Sequence, residues 1–108
     1  MTREEVATMI QSMGLPFAYY QFDDTAQEPP YICFYYPESD DFVADNSNYV
    51  RIEVLTIELY TKDKRFDLEE QIESKLAENE IVFSKLETHD DAEKLVLTSY
   101  ESEVIINS

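Results

Sequence analysis

The spacing of hydrophobic positions predicts two helices in a chain that otherwise has strand character. Near the N-terminus, apolar residues recur at helical spacing behind Thr2 and Glu5, which form a capping-box pair. Gly14 follows where a helix needs a left-handed residue to end. These signals predict a first helix over 3–13.

The second helix has the same kind of signature. Asp67 and Glu70 repeat the capping pattern, and every fourth residue from Leu68 to Leu76 is apolar, with acidic residues and a lysine on the opposite side. The pattern predicts a helix over 68–78.

Runs rich in aromatic and β-branched residues predict five strands. The second run ends at Pro37, which cannot donate to a ladder. The third changes parity at Val54 and Leu55, which suggests either a bulge or a strand that is buried on one face and then on the other. His89 falls in a polar turn over 88–93. The predicted strands are 17–22, 31–36, 49–61, a short run through Ile81, Phe83 and Leu86, and 94–106.

The order of these elements, αβββαββ, predicts the fold class. Three strands follow one another without a crossover helix, so the sheet is expected to be mainly antiparallel, with about five strands and both helices packed on one face. The 108 residues are enough for one core and too few for two, so we expect a single α+β domain over 1–108.

The charge balance narrows the classes of function. Eight lysines and arginines stand against 24 aspartates and glutamates, a formal net charge of −16. Such a surface repels phosphate backbones and anionic membranes, which argues against specific nucleic-acid or membrane binding. Three interpretations stay open: charge that maintains solubility, mimicry of DNA, and a channel wall to which DNA does not adhere.

Few residues are available for catalysis or for a cofactor. The single cysteine, Cys33, lies in an apolar run and the single histidine in a polar turn, so a nucleophile pair and a zinc site are both disfavoured. Gly14 is the only glycine, which excludes known phosphate-binding loops. We therefore expect a protein that is not an enzyme and has no metal or cofactor. A small hydrolase with two carboxylates in a pocket is the residual enzymatic alternative.

Two features bear on the compartment. One cysteine cannot form an intramolecular disulfide, which suits a reducing cytoplasm. The N-terminus has no basic segment followed by an apolar stretch, and no apolar run approaches the length of a membrane helix, so export and membrane insertion are not expected.

The eight tyrosines exceed what the edges of a core explain, and tyrosine favours interfaces where one edge of the ring stays wet. Several segments together resemble the tail-terminator group of tailed phages and prophages, small structural proteins of tail completion and head-tail joining. The resemblance covers nearly the whole chain and is one of pattern, without a diagnostic motif. It is carried by the opening Met-Thr-Arg-Glu-Glu-Val, residues 14–20, Pro29 to Ile32, the acidic loop ending at Asn46, the strand through residues 57–61 and the helix start Asp67-Leu68-Glu69.

The resemblance implies a homo-oligomeric ring, commonly a hexamer, that ends the tail tube and joins it to the head connector. It implies assembly in the host cytoplasm and a place in the virion at the head-tail junction. Acidic side chains inside such a ring would keep DNA from adhering as it passes. The acidic loops and the strand after them supply the candidate interface residues Asp23, Asp24, Glu28, Glu38, Asp40, Asp41, Phe42, Val43, Asp45, Asn46 and Tyr49.

The alternative function is an acidic DNA mimic that inhibits a DNA-binding enzyme. It requires carboxylates spaced like phosphates along one surface, whereas the acidic residues of this chain are dispersed over both predicted helices and all loops. The sequence therefore favours the assembly function over mimicry.

Overall fold

The computed structural model describes residues 1–22, 27–39, 42–44 and 48–106, with only the backbone path given for 42–44 and 48–50. It confirms the α+β class. The elements are the helices α1 (Arg3–Gln11) and α2 (Phe66–Glu78) and the strands β1 (Phe17–Tyr19), β2 (Tyr31–Ser39), β3 (Phe42–Ala44), β4 (Asn48–Val50), β5 (Ile52–Thr61), β6 (Ser84–Asp90) and β7 (Leu95–Ile105).

The main sheet has five strands in the order β1-β2-β5-β7-β6. Only β1 and β2 are parallel, and every other neighbouring pair is antiparallel. For this sheet the order αβββαββ is confirmed, with α2 joining β5 to β6. The strands β3 and β4 form a separate two-stranded antiparallel sheet, inserted between β2 and β5, that the sequence pattern did not predict.

The core lies between one face of the main sheet and the two helices. Burial of this apolar surface is the main favourable contribution to folding, roughly 1.5–3 kcal/mol for each large side chain. The helix residues in it are Val6, Met9 and Ile10 of α1 with Met13 after it, and Leu68, Ile72 and Leu76 of α2; the sheet residues are Ile32, Phe34, Leu55, Ile57, Leu59, Tyr100 and Val104.

The predicted ends of the helices are partly right. The capping box is present, since the Glu5 amide donates to Thr2 Oγ1 at 3.0 Å and the Thr2 amide donates to Glu5 Oε1 at 2.9 Å. α1 ends at Gln11, and Gly14 follows with φ of +80°. α2 begins two residues earlier than predicted because the Asp67 carboxylate accepts two hydrogen bonds from Arg65, at 2.9 and 2.8 Å, and does not cap the helix.

The predicted strand over 49–61 is two strands, β4 and β5, separated at Arg51. Of the two explanations for the parity change, a bulge in β5 at Val54 and Leu55 is wrong, because β5 pairs with β7 without interruption from Ile52 to Thr61. The explanation by burial is nearer to the structure, since β5 is the central strand and every side chain from Glu53 to Ile57 is buried, so that the alternation disappears there.

Three further boundaries differ. β2 continues past Pro37 to Ser39, and its register shifts between Tyr35 and Glu38, which accommodates a residue without an amide donor. β1 ends at Tyr19, three residues early. His89 lies in β6 and not in a turn, with its side chain exposed, because β6 runs through to Asp90.

Candidate protein-docking face

The two faces of the main sheet have different surroundings. Side chains alternate between the faces along each strand, and Ile32, Leu59 and Tyr100 point toward the helices. No described helix packs on the opposite side, which we call the open face. Its members are Tyr31, Cys33, Tyr35 and Glu38 of β2, Ile52, Val54, Thr56, Glu58 and Tyr60 of β5, Leu95, Leu97, Ser99, Glu101, Glu103 and Ile105 of β7, and Ser84, Leu86, Thr88 and Asp90 of β6.

The open face carries large apolar and aromatic side chains that are only partly buried. Leu86 and Ile105 are 64% and 57% exposed, while the tyrosines of β2 and β5 on this face are half-buried. The smaller Cys33 and Thr56 are buried. Large, partly exposed aromatic and aliphatic side chains therefore form the accessible surface, as at sites of protein contact.

Aromatic rings contact one another across the strands of the open face. Tyr31 and Tyr60 are direct cross-strand partners whose rings stack with centroids 4.8 Å apart. Phe22 meets Tyr31 edge to face at 5.4 Å, and Tyr20 meets Tyr35 in the same way at 5.8 Å. Such pairs hold the rings in fixed positions, with a stabilisation of about 0.5–1.5 kcal/mol each beyond burial.

Tyr20 is placed on this face by an unusual backbone conformation. Its φ is +68°, a left-handed value that is rare for an aromatic residue and costs roughly 1–2 kcal/mol. Its amide donates to the Phe34 carbonyl at 2.7 Å, which fixes the turn after β1. The ring is 61% exposed beside Tyr35 and enlarges the aromatic surface.

Glu58 lies at the centre of the aromatic group. Its directly opposite neighbours are Cys33 on β2 and Ser99 on β7, both small. Its two carboxylate oxygens accept hydrogen bonds from the hydroxyls of Tyr35, at 3.2 Å, and Tyr60, at 3.0 Å. The carboxylate is thus held in a fixed orientation and is not covered by a bulky cross-strand neighbour.

Burial and the Glu58 charge shift the acid-base properties of the surrounding groups. Burial raises the pKa values of Tyr35 and Tyr60, and the adjacent Glu58 carboxylate raises them further, because a phenolate beside a carboxylate is disfavoured. The same two causes, burial first, raise the pKa of Cys33. At neutral pH the tyrosines are hydrogen-bond donors and Cys33 is an unreactive thiol.

The open face is also negatively charged. Five of its strand positions carry a carboxylate and none carries a lysine or arginine. In the described part of the chain, the ion pairs of six basic residues involve other carboxylates than these five; the six are Arg3, Lys62, Lys64, Arg65, Lys75 and Lys85. The five carboxylates are those of Glu38, Glu58, Asp90, Glu101 and Glu103.

The helix side of the sheet contains an ion-pair network. Glu69 is 2% exposed, and its carboxylate lies 2.9 Å from Lys64 Nζ and 2.7 Å from Lys85 Nζ. Lys85 also pairs with Glu73 at 2.8 Å, and Lys64 pairs with Glu87 at 2.5 Å. These contacts join α2 to β6 and to the segment before α2, which gives the network a structural role.

The same network lowers the pKa values of its outer carboxylates. At Glu73, burial alone would raise the pKa, but hydrogen bonds from Lys85 and Tyr100 outweigh the effect of burial and hold the pKa below its usual value. At Glu87, hydrogen bonds from Lys64 and then His89 lower the pKa to about 2. Both groups are carboxylates at neutral pH and are poor candidates for a general acid.

The described residues offer no metal centre: within them no group of three or more histidine, cysteine, aspartate or glutamate side chains is arranged to hold a metal ion. A cleft of about 660 Å³ adjoins Tyr31 at one end of the open face, between Lys62 and Asp63 on one side and Glu93 and Lys94 on the other.

Within the described ranges no helix is long and apolar enough to cross a membrane. The expectation that the protein is not an enzyme stays a prediction.

Few of the residues predicted from the sequence lie on the open face. Glu38 does, beside the register shift of β2. Glu28 is exposed in the preceding loop, where its carboxylate lies 3.7 Å from Lys62 Nζ. Phe42, Val43 and Tyr49 lie on the β3–β4 hairpin, whose backbone pairs Val43 with Tyr49. Asp23, Asp24, Asp40, Asp41, Asp45 and Asn46 lie outside the described residues.

Sequence reasoning missed the aromatic group around Glu58. A signal was present, since Tyr31, Cys33 and Tyr35 share one parity of β2, and Thr56, Glu58 and Tyr60 share one parity of β5. Only the pairing of the two strands shows that these residues point to the same face. No family model and no curated protein matches the chain.

Proposed function

We propose that the protein is an assembly protein of the phage tail-terminator group, which forms a ring and binds a neighbouring tail or connector protein on its open face. The open face carries this proposal, because large, partly exposed aromatic and aliphatic side chains on a sheet face that neither described helix covers are typical of a protein-binding surface. The exposed Leu86 and Ile105 on β6 and β7, together with the tyrosines on β2 and β5, give the face the aromatic and aliphatic character of an interface core.

The net charge of −16 supports the same function. The negative charge makes copies of the chain repel one another at low salt, so that they associate only where their contacts are specific. Acidic side chains on the inner wall of a ring would also repel the DNA phosphates, so that passing DNA is not retained. A DNA mimic is less well supported, since a mimic presents a row of carboxylates to a basic groove, whereas the carboxylates of the open face share it with large apolar side chains and Glu58 is hydrogen-bonded to two tyrosines.

Solution scattering of the protein, alone and with the tail-tube protein encoded in the same genome, tests the proposal. We expect a ring-sized particle in the mixture, over concentrations from micromolar to millimolar. A monomer under all conditions, with no complex, would refute the assembly function.

The open face is tested in the same experiment with the variant L86E/I105E. Both side chains are more than half exposed, so the fold is expected to persist and the complex to be lost. The matched control is F66E, since Phe66 is 68% exposed and lies on α2, on the helix side of the sheet. If both variants bind like the unchanged protein, the docking surface is elsewhere.

A further inference from the structure

We infer that the open face binds a segment of a partner protein that carries an arginine, whose guanidinium contacts the Glu58 carboxylate between the rings of Tyr35 and Tyr60. The inference rests on the proposed docking function and names the chemistry of the partner. Charge complementarity carries it, because the face presents five carboxylates and no basic side chain at its strand positions.

Glu58 differs from the other carboxylates of the open face. It is half-buried, and no ion pair to it is present among the described residues, whereas the buried Glu69 on the helix side has two lysines. A partly desolvated carboxylate without a cation is unfavourable alone and favourable once a cation arrives. The hydroxyls of Tyr35 and Tyr60 occupy one acceptor site on each oxygen, and a carboxylate has about four such sites, so the guanidinium can still be accepted.

The surroundings favour arginine over lysine. A guanidinium is planar, forms two parallel hydrogen bonds to a carboxylate and stacks on aromatic rings, while an ammonium is more strongly hydrated. The small neighbours Cys33 and Ser99 leave room above Glu58, while Tyr35 lies diagonally across on β2 and Tyr60 lies two positions along β5. The site thus combines a fixed carboxylate with ring faces, both of which attract a guanidinium.

A second copy of the chain in a two-fold arrangement is excluded by the same charges. In such an interface the same patch meets itself, so the carboxylates of the two open faces would oppose one another. This charge argument concerns pairing of two open faces, and we assign the open face to the partner protein.

The test uses N-acetyl-arginine methylamide as the probe and N-acetyl-citrulline methylamide, its uncharged isostere, as the control ligand. Nuclear magnetic resonance of tyrosine-labelled protein, with signals assigned from Y35F and Y60F, follows the rings during titration. We expect saturable shifts of the Tyr35 and Tyr60 signals with the arginine compound and none with the citrulline compound. E58Q is expected to weaken the binding at least about ten-fold.

The matched control variant is E101Q, which removes the same charge from the same face two strand positions beyond Ser99 and is expected to change the affinity by less than about two-fold. Equal binding by E58Q and E101Q, or equal shifts with citrulline, would show that arginine is attracted only by the net charge and would overturn the inference. Scattering of the unchanged protein and of E58Q, each mixed with the tail-tube protein, separates the two proposals. No complex with the unchanged protein removes the proposed function, whereas a complex that E58Q forms as readily as the unchanged protein removes this inference alone.

Discussion

The lysine pair around Glu69 provides a quantitative test of the structure. Glu69 is 2% exposed and is contacted by Lys64 and Lys85, whose side chains are 33% and 36% exposed. A hydrogen bond to a charged group contributes about 1.5–3 kcal/mol, and water at the lysines reduces this. We therefore expect K64M and K85M to lower the free energy of unfolding by about 1 kcal/mol each, because Glu69 keeps one cation in either variant.

The double variant K64M/K85M is different in kind, since it leaves a buried carboxylate without any cation. Loss of the partner of a buried charge costs about 3–5 kcal/mol, so the double variant is expected to exceed the sum of the singles by about 1–3 kcal/mol. Neutralising the carboxylate as well, in K64M/E69M/K85M, is expected to return the protein to within about 1 kcal/mol of the unchanged chain.

Urea unfolding at neutral pH, followed by circular dichroism and analysed by linear extrapolation, measures these differences. R65M serves as the control, because Arg65 forms an exposed pair with Asp67 and its loss is expected to cost less than about 1 kcal/mol. Additive effects of K64M and K85M, or no recovery in the triple variant, would refute the assignment of the network as the neutralising partner of Glu69.

Four other expectations follow from single groups. T2A removes the side-chain cap of α1 and is expected to cost about 1 kcal/mol in urea unfolding, with T2S as the control that keeps the hydroxyl. G14A forces a Cβ into a left-handed position 3.3 Å from Gln71 Nε2 and is expected to cost about 1–2 kcal/mol by the same assay. Burial and nearby carboxylates raise the pKa values of Tyr60 and Tyr100, so stability is complete below about pH 10, where the unfolded phenols ionise, and falls above it; absorbance titration should show these two ionising only as the chain unfolds. Cys33 is buried with a raised pKa and should react with a thiol reagent only on unfolding, so rapid reaction under native conditions would contradict its position.

The sequence was most informative where local chemistry decides the structure. Thr2 and Glu5 predict the start of α1 because their hydrogen bonds are local. Gly14 predicts the end of α1 to within two residues, because the left-handed backbone after a helix is also a local requirement. The central strand was harder to interpret. β5 lies between two strands and is buried on both sides from Glu53 to Ile57, so the alternation that would identify its two faces is lost.

Residues distant in sequence form both the aromatic group and the lysine network. Glu58 receives its hydroxyls from Tyr35, 23 residues away, and from Tyr60, two residues away. Lys85 reaches Glu69 across the turn between α2 and β6. Spacing within a single element does not report such contacts, because they depend on which strands pair and in which register.

The positions of the basic residues explain the negative charge of the open face better than the net charge of the chain does. Six of them pair with carboxylates of the helices, the loops or the helix side of the sheet. For example, the Arg3 guanidinium lies 2.6 Å from the carboxylate of Glu53, which points away from the open face. The eight basic residues can neutralise only a minority of the 24 acidic ones. None of these six pairs involves a carboxylate at a strand position of the open face, so the five carboxylates there add their negative charge to the surface that also carries exposed apolar residues. If a partner covers the open face as we propose, we expect it to supply the cations, and the half-buried Glu58 is the carboxylate at which we expect a single cation to bind.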